Sequence, residues 1–440
     1  MTDAILDDDA TGRSALAKAS WRLLPLIALG YGVAYVDRVN IGFAALQMNR
    51  DLHFGAEVYG LGGGLFFLSY ALCEVPSNLA LVRFGARRWI ARIMLTWGVL
   101  AVAMMFVRTP VQFYALRFLL GAAEAGFFPG VVYYLTTWFP ASHRGRAISR
   151  FYVALPLASV VMGLIAGPLL GLGGRLGLAG WQWLFLVQGL PAVLLGVGVL
   201  FLLPDGPADA PWLTPTERTW IADRHAADAD RLGGPEDHSL LKALRIPVVL
   251  QIGIAQFCIL AASYAFTLSA PGFLAQAAHL DPTQVGLLTA AGGVLGAVAM
   301  IGNGWSSDRA AERHLHLAVP LVIMATAFVV LATGPSPVVV MLAYAVTAAC
   351  TSAVQAVIYT IPTDTLPRSA TAVALAAIGS VSMVGAFAGP VLWGIARERT
   401  GGDHLGLMIL PVPYLIATGI ALALRRGARL RRALAPVTAS

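Results

Sequence analysis

Twelve stretches of this chain are apolar for about 18 residues or more, the length at which a helix rising 1.5 Å per residue spans the ~30 Å of hydrocarbon in a bilayer. They cover residues 22–48, 57–81, 88–108, 111–138, 147–171, 182–203, 247–275, 284–306, 315–333, 336–361, 370–396 and 405–425. With 58% of its 440 residues hydrophobic and only 12% charged, the chain is too apolar for a soluble globular protein of its size. The expected fold class is therefore an all-α membrane protein with twelve transmembrane helices.

The amino terminus carries Asp3, Asp7, Asp8 and Asp9 and lacks the basic region and small-residue cleavage site of a secretory signal, so the first apolar segment is expected to be retained. With that end inside, an even number of helices returns the carboxyl terminus to the same side. The Lys/Arg census fits: 23 fall on the inner side and 5 on the outer, with Arg38 and Arg117 inside the membrane. Both termini are thus expected in the cytoplasm of a cell with the protein in its inner (plasma) membrane. The net charge of +7 then faces an anionic leaflet, and no nucleic-acid partner is needed to explain it.

One long polar stretch, Pro204 to Arg245, divides the segments six and six. The expected organisation is a cytoplasmic tail over 1–21, a six-helix bundle over 22–203, a cytoplasmic loop over 204–246, a second bundle over 247–425 and a tail over 426–440. Inside the loop, Thr214-Pro215-Thr216-Glu217 has the form of a capping box and predicts a short surface helix ending before Gly233-Gly234. The halves echo each other: Arg83 and Arg309 stand 226 positions apart at corresponding loops, and Gly163-x-x-x-Gly167-Pro168 recurs 222 positions later as Gly385-x-x-x-Gly389-Pro390. Two echoes at nearly one offset indicate internal duplication and two pseudo-symmetric bundles.

Charges inside the apolar segments narrow the function. Asp37 and Arg38 sit mid-way along the first segment, and Glu124 lies at matching depth in the fourth. One such group at a bilayer centre costs roughly 2.5 to 3.5 kcal/mol on insertion scales, so these residues usually line a watery path for an ion or substrate. A carboxylate in low dielectric favours its neutral form, the property a proton carrier needs. Adjacent helical residues point about 100° apart, so Asp37 and Arg38 do not neutralise each other on one face. Arg38 suits a carboxylate cargo through two parallel hydrogen bonds. The alternatives are a static pair between Glu124 and Arg38 or Arg117, and a packing role for Arg38.

Arg117, seven residues before Glu124, is read as structural or as an outer guard. Glu74 is read as a helix-end or gate contact ahead of a proton carrier. The second half has no charge deep in a segment; its polar candidates are Gln251, Gln256, Tyr264, Asn303, Gln355, Tyr359, Ser380 and Ser382. Of these, Gln355 and Tyr359 are taken as cargo contacts, with the first half handling charge and the second supplying shape.

These residues resemble the major facilitator superfamily of secondary transporters over the whole chain. Gly304, Asp308 and Arg309 fit the family's Gly-x-x-x-Asp-Arg loop, whereas the first half has Asn78 and Val82 at the corresponding glycine and aspartate. Within the superfamily, Asp37-Arg38-Val39-Asn40-Ile41-Gly42-Phe43-Ala44, Glu74-Val75-Pro76-Ser77-Asn78, Glu124-Ala125-Gly126-Phe127-Phe128-Pro129-Gly130 and Leu203-Pro204-Asp205 resemble the anion:cation symporter branch. That branch includes bacterial tartrate, galactonate, phthalate and hydroxyphenylacetate permeases. The resemblance implies a monomer that imports a small organic anion with protons, taken up at Asp37 and Glu124. It places the anion on Arg38, lines the cavity with Tyr35 and Tyr70, and assigns gating to Arg83, Arg87, Arg88, Asp308 and Arg309.

No cofactor other than the proton is expected. Cys73, Cys258 and Cys350 have no metal or redox spacing, and the eight histidines fall in loops, tails or helix ends, so no metal site is expected either. There is no Gly-x-x-x-x-Gly-Lys-Ser/Thr for ATP and no nucleophile-and-base set, which argues against an ATP-driven pump and an enzyme. Two rival readings are a proton-coupled exporter of drugs or metabolites in the same fold, which the Gly163 to Pro168 motif also suits, and a membrane sensor that binds without transporting.

Overall fold

The computed structural model describes residues 10–152, 154–232, 245–366 and 368–434, and among these the ordered elements are helices with no strand. The first half comprises α1 (Ala10–Asp51), α2 (Ala56–Phe84), α3 (Ala86–Ala103), α4 (Pro110–Glu124), α5 (Phe127–Trp138), α6 (Ala141–Tyr152), α7 (Ala154–Leu170) and α8 (Gly180–Leu202). The connecting loop holds α9 (Pro215–Leu232). The second half comprises α10 (Pro247–Ala277), α11 (Pro282–Ala310), α12 (His314–Ala332), α13 (Pro337–Ile358), α14 (Thr360–Thr365), α15 (Arg368–Thr400), α16 (His404–Ile409) and α17 (Pro411–Leu434).

Eleven helical stretches are long and apolar enough to cross a membrane, and the apolar 17-residue α7 occupies the place of the remaining predicted segment. Counting α7, the twelve-helix reading stands. Helix is the open form that satisfies every backbone group within one segment in lipid. Local signals set where each begins. Proline occupies the first helical position of α4, α10, α11 and α13. Asp281 caps α11 by accepting from Thr283 N at 2.8 Å and Gln284 N at 2.9 Å.

Three boundaries differ from expectation. α1 starts at Ala10, so much of the expected 1–21 tail continues the first helix. α2 runs unbroken through Pro76 to Phe84, which puts Glu74 within a helix and removes its reading as a helix-end residue. The fourth segment is broken in two after Glu124, because Ala125 turns extended and Gly126 adopts a left-handed φ of 84°. A side chain at Gly126 would also run into Ser77 Oγ of α2, so glycine meets two demands at once.

The capping box forms as the sequence predicts: Glu217 N bonds Thr214 Oγ1 at 3.3 Å, and Thr214 N bonds Glu217 Oε2 at 2.8 Å. Glu217 also accepts from Ser14 Oγ at 2.7 Å and Lys18 Nζ at 2.8 Å, which ties α9 to the start of α1. Burial alone would raise the Glu217 carboxyl, but Lys18, Ser14 and the Thr214 backbone outweigh it and hold it down at about 2. The other expected loop residues, 233–244, lie outside the described residues.

The halves meet through α2 against α15, α7 against α11, and α1 against α10. At the seam of α7 and α11, a Cβ on either Gly163 or Gly286 would strike the other's carbonyl oxygen, so the two backbones touch with no side chain between them. Hydrogen bonds join the halves at the end remote from α9. Tyr59 Oη donates to the Leu268 carbonyl at 2.7 Å, and Glu398 of α15 accepts from Ala56 N at 2.7 Å and Glu57 N at 3.4 Å. Gly55, the residue before α2, has no side chain to cap that helix, so a carboxylate from the other half does it.

Candidate functional site

The charged residues of the first half gather where α1, α2, α3 and α4 converge. Arg38 Nη2 forms an ion pair with Glu124 Oε1, joining α1 to the last residue of α4. A helix carboxyl end is electrostatically negative, so a carboxylate there calls for a nearby cation, and Arg38 supplies it. Glu124 is 1% exposed, and its second oxygen is buried without a hydrogen-bond partner. The guanidinium also lies over the rings of Phe66 and Tyr70, 5.5 and 5.3 Å from their centroids.

Asp37 faces away from Arg38. It accepts from Asn40 Nδ2 at 3.0 Å and from Trp97 Nε1 of α3 at 3.1 Å. Arg117 lies within electrostatic range of Asp37, fully buried, and donates to the carbonyls of Gly62 at 3.2 Å and Gly63 at 3.4 Å while covering the Phe66 ring at 4.8 Å. Its donors are thus directed to α2. Asn40 and Trp97 were not singled out from the sequence; Asn40 carried a signal, since three residues beyond Asp37 places it on the same helix face.

The second-half candidates split. Gln256 Nε2 donates to Tyr359 Oη at 3.0 Å and to Gln355 Oε1 at 3.4 Å, so those three form one polar cluster between α10 and α13. Tyr264 bridges the halves: its ring is 4.2 Å from Phe67 of α2, centroid to centroid, and its hydroxyl lies within electrostatic range of Arg38, Tyr35 and Tyr359. Asn303 is committed elsewhere, donating to the carbonyls of His316 and Ala353. Glu74, half-buried, lies within electrostatic range of Arg38 and Tyr70.

Beside this cluster opens a cavity of about 860 Å³ of atom-free space, part of it continuous with solvent. Tyr35 and Val39 of α1 line it, but most of its wall comes from α10, α11 and α13, including Phe266, Thr289, Tyr344 and Thr347. Tyr70, Gln355 and Tyr359 stand outside that wall. The threonines were missed because a lone hydroxyl in an apolar helix reads as packing.

The loop residues lie apart from the site. Arg87 bonds Asp205 through its backbone N at 3.1 Å and its Nε at 3.4 Å, Arg83 covers Phe84, and Arg88 is exposed. In the second half Asp308 pairs with Arg313, whose Nε reaches Asp364 at 3.0 Å, and Arg309 covers Trp305. These two carboxylates raise the Arg313 guanidinium above its ordinary range.

Three comparisons complete the picture. The sequence pattern of the Major Facilitator Superfamily matches residues 27–390 and 252–432. The chain is 40% identical over 425 residues to an Agrobacterium vitis protein provisionally named a tartrate transporter, covering 96% of this chain and 94% of that one. It is 38% identical over 403 residues to the quinolone resistance transporter of Acinetobacter baumannii, covering 92% of this chain and 93% of that one. The fold superposes on a bacterial homologue of the human lysosomal transporter Spinster with a TM-score of 0.75 at 16% identity, covering 95% of this chain and 98% of the other. Family match, near full-length relatives and fold agree: this chain is a multi-pass membrane transporter belonging to the Major Facilitator Superfamily.

Proposed function

We propose that the protein imports an organic carboxylate together with protons, from the inner membrane of its cell, with both termini in the cytoplasm. The observation that carries this reading is the Arg38–Glu124 ion pair with one Glu124 oxygen left unpartnered. A cargo carboxylate and Glu124 compete for one guanidinium. Breaking a buried pair by removing one partner costs roughly 3–5 kcal/mol, so Arg38 leaves Glu124 only when another anion replaces it and Glu124 takes up a proton. Proton and anion therefore bind together, and the loaded site can close and reopen on the other side with its charges compensated. Asp37, with Arg117 as its buried counter-charge, is the second proton site.

The test is uptake of labelled organic acids into proteoliposomes with and without an inward proton gradient. The expected result is gradient-dependent accumulation of an acid that is lost in Arg38→Ala. Glu124→Gln should retain exchange and lose uphill uptake; accumulation at the wild-type level in that variant overturns the coupling. The likeness to a quinolone resistance transporter supports a second reading, proton-driven export. Resistance to lipophilic compounds in expressing cells, with no acid accumulated in vesicles, selects it.

A further inference from the structure

Phe66, Tyr70 and Glu74 stand four residues apart along α2 and so form one stripe on its surface. The Arg38 guanidinium lies over the first two rings, 5.5 and 5.3 Å from their centroids. Glu74 is the next position of the stripe, one turn beyond Tyr70 and further from the end where Tyr59 and Glu398 join the halves. From there its charge reaches Arg38 and Tyr70 in the first half and Tyr359 in the second. Glu74 thus faces the space between the halves, beside Arg38.

Among the described residues Glu74 has neither a hydrogen bond nor an ion pair. Arg38 is the one cation whose charge reaches it, and Arg38 is already paired with Glu124. Arg117, the other cation of the site, is bonded to the Gly62 and Gly63 carbonyls and has Asp37 as its counter-charge. Two cations therefore meet three carboxylates, and Glu74 is the one left over. A plain anion on Arg38, with a proton on Glu124, leaves that surplus in place and sets two negative groups beside one cation, which repel. A cargo with a cation of its own removes the repulsion and compensates Glu74 as well.

A second, independent feature belongs to the cluster that Glu74 faces. Gln256 is fully buried, and its Nε2 serves both Gln355 and Tyr359 while its Oε1 has no partner. A protonated amine carries several N–H donors and no acceptor, so it has use for both a free carboxylate and a free amide oxygen. A proton on Glu74 would settle the charge and leave the Gln256 oxygen unused. The Gln355 amide and the Tyr359 hydroxyl keep protons of their own, which suit neutral oxygens on the cargo. We infer that the cargo is an amphoteric acid, a carboxylate bearing a protonated amine, and that Glu74 binds the amine. The inference rests on the proposed role of Arg38 in holding the cargo carboxylate and gives that cargo its second anchor.

The experiment is calorimetric titration of the purified full-length protein at neutral pH with three pairs of acids. Each pair differs at one position, a neutral oxygen in one twin and a protonated nitrogen in the other: 4-(hydroxymethyl)benzoate and 4-(aminomethyl)benzoate, 6-hydroxyhexanoate and 6-aminohexanoate, tetrahydropyran-4-carboxylate and piperidine-4-carboxylate. In every pair that gives binding heat, the amine should bind tighter by about tenfold or more. Glu74→Gln should abolish that preference and tighten the oxygen twin by about threefold, since a repelling charge has gone. Glu74→Asp retains the charge and should retain part of the preference, and Arg38→Ala should weaken both twins. An amine that binds no tighter than its twin, or a preference that survives Glu74→Gln, overturns the inference; if both twins are lost in Arg38→Ala, the role of Arg38 still stands. No preference for amines, with one proton fewer bound in Glu74→Gln by the buffer dependence of the heat, overturns it in favour of a further proton site. Binding of both twins that survives Arg38→Ala unchanged removes the reading on which the inference rests. Absence of heat from all six acids overturns the inference as well.

Discussion

Glu398 caps a helix of the other half, and that contact exists only while the two halves are together at the end remote from α9. Glu398→Ala should therefore weaken this state relative to one in which that end opens. An N-terminal cap contributes typically ~1 kcal/mol, and a carboxylate near a helix amino end ~0.3–1 kcal/mol more. Glu398 is exposed, so solvent screening trims the charge contribution and leaves about 1 kcal/mol in all. That is about a fivefold shift in the ratio of closed to open molecules. Spin labels at Glu57→Cys and Arg399→Cys, in a background with Cys73, Cys258 and Cys350 replaced, would read the ratio as short and long distances in pulsed dipolar spectroscopy. Glu398→Gln keeps an acceptor and should shift the ratio less. An unchanged distance distribution in Glu398→Ala would show that this end is held without the Glu398 cap, by contacts such as Gly163 against Gly286, Gly60 against Gly394 and the Tyr59 bond.

Two further outcomes are expected. The folded-state carboxyl of Glu217 is depressed to about 2 from an ordinary 4.5, so the contribution of its contacts to holding α9 is present above about 4.5 and is lost as pH falls toward about 2. Hydrogen exchange in α9, corrected for intrinsic rates, should lose protection in that window and already at neutral pH in Glu217→Gln; protection unchanged at acid pH refutes the role of the latch. Gly126→Ala forces a left-handed residue, costing about 1–2 kcal/mol, and drives a methyl into Ser77, so its melting temperature in detergent should fall. Gly145→Ala, in a helix with open space around it, should hold or raise that temperature, and equal losses in both variants would count against the backbone argument.

The twelve segments, the capping box and the family were legible because each is written in local signals: apolar length, a threonine and glutamate three apart, a loop pattern. Pairing across distance was less so. Sequence depth placed Arg38 and Glu124 at one level but left two partners open for Glu124, and only packing chose Arg38 over Arg117, whose donors turn to α2. The break at Gly126 was hidden because its neighbours are apolar enough to read as one continuous span. The repeated glycine motif shows the limit most clearly. Gly163 meets Gly286 across the seam between halves, whereas Gly385 and Gly389 meet Phe257 and Ala261 within the second half. Duplication preserved the spelling of the motif, and the neighbour it faces decided its use.

The latch of Lys18 and Ser14 on Glu217 bears on the order in which the chain is built. Its partners lie 199 and 203 positions apart, and both are complete before any residue of α10 has been synthesised. Domains generally fold as units, the amino-terminal one first during synthesis. The first bundle and its tether can therefore finish as one body while the second is still emerging, and joining the halves at the Gly163–Gly286 contact becomes the last assembly step. Loss of Glu217 would then register in the yield of assembled protein made in living membranes before it registered in the stability of protein already folded.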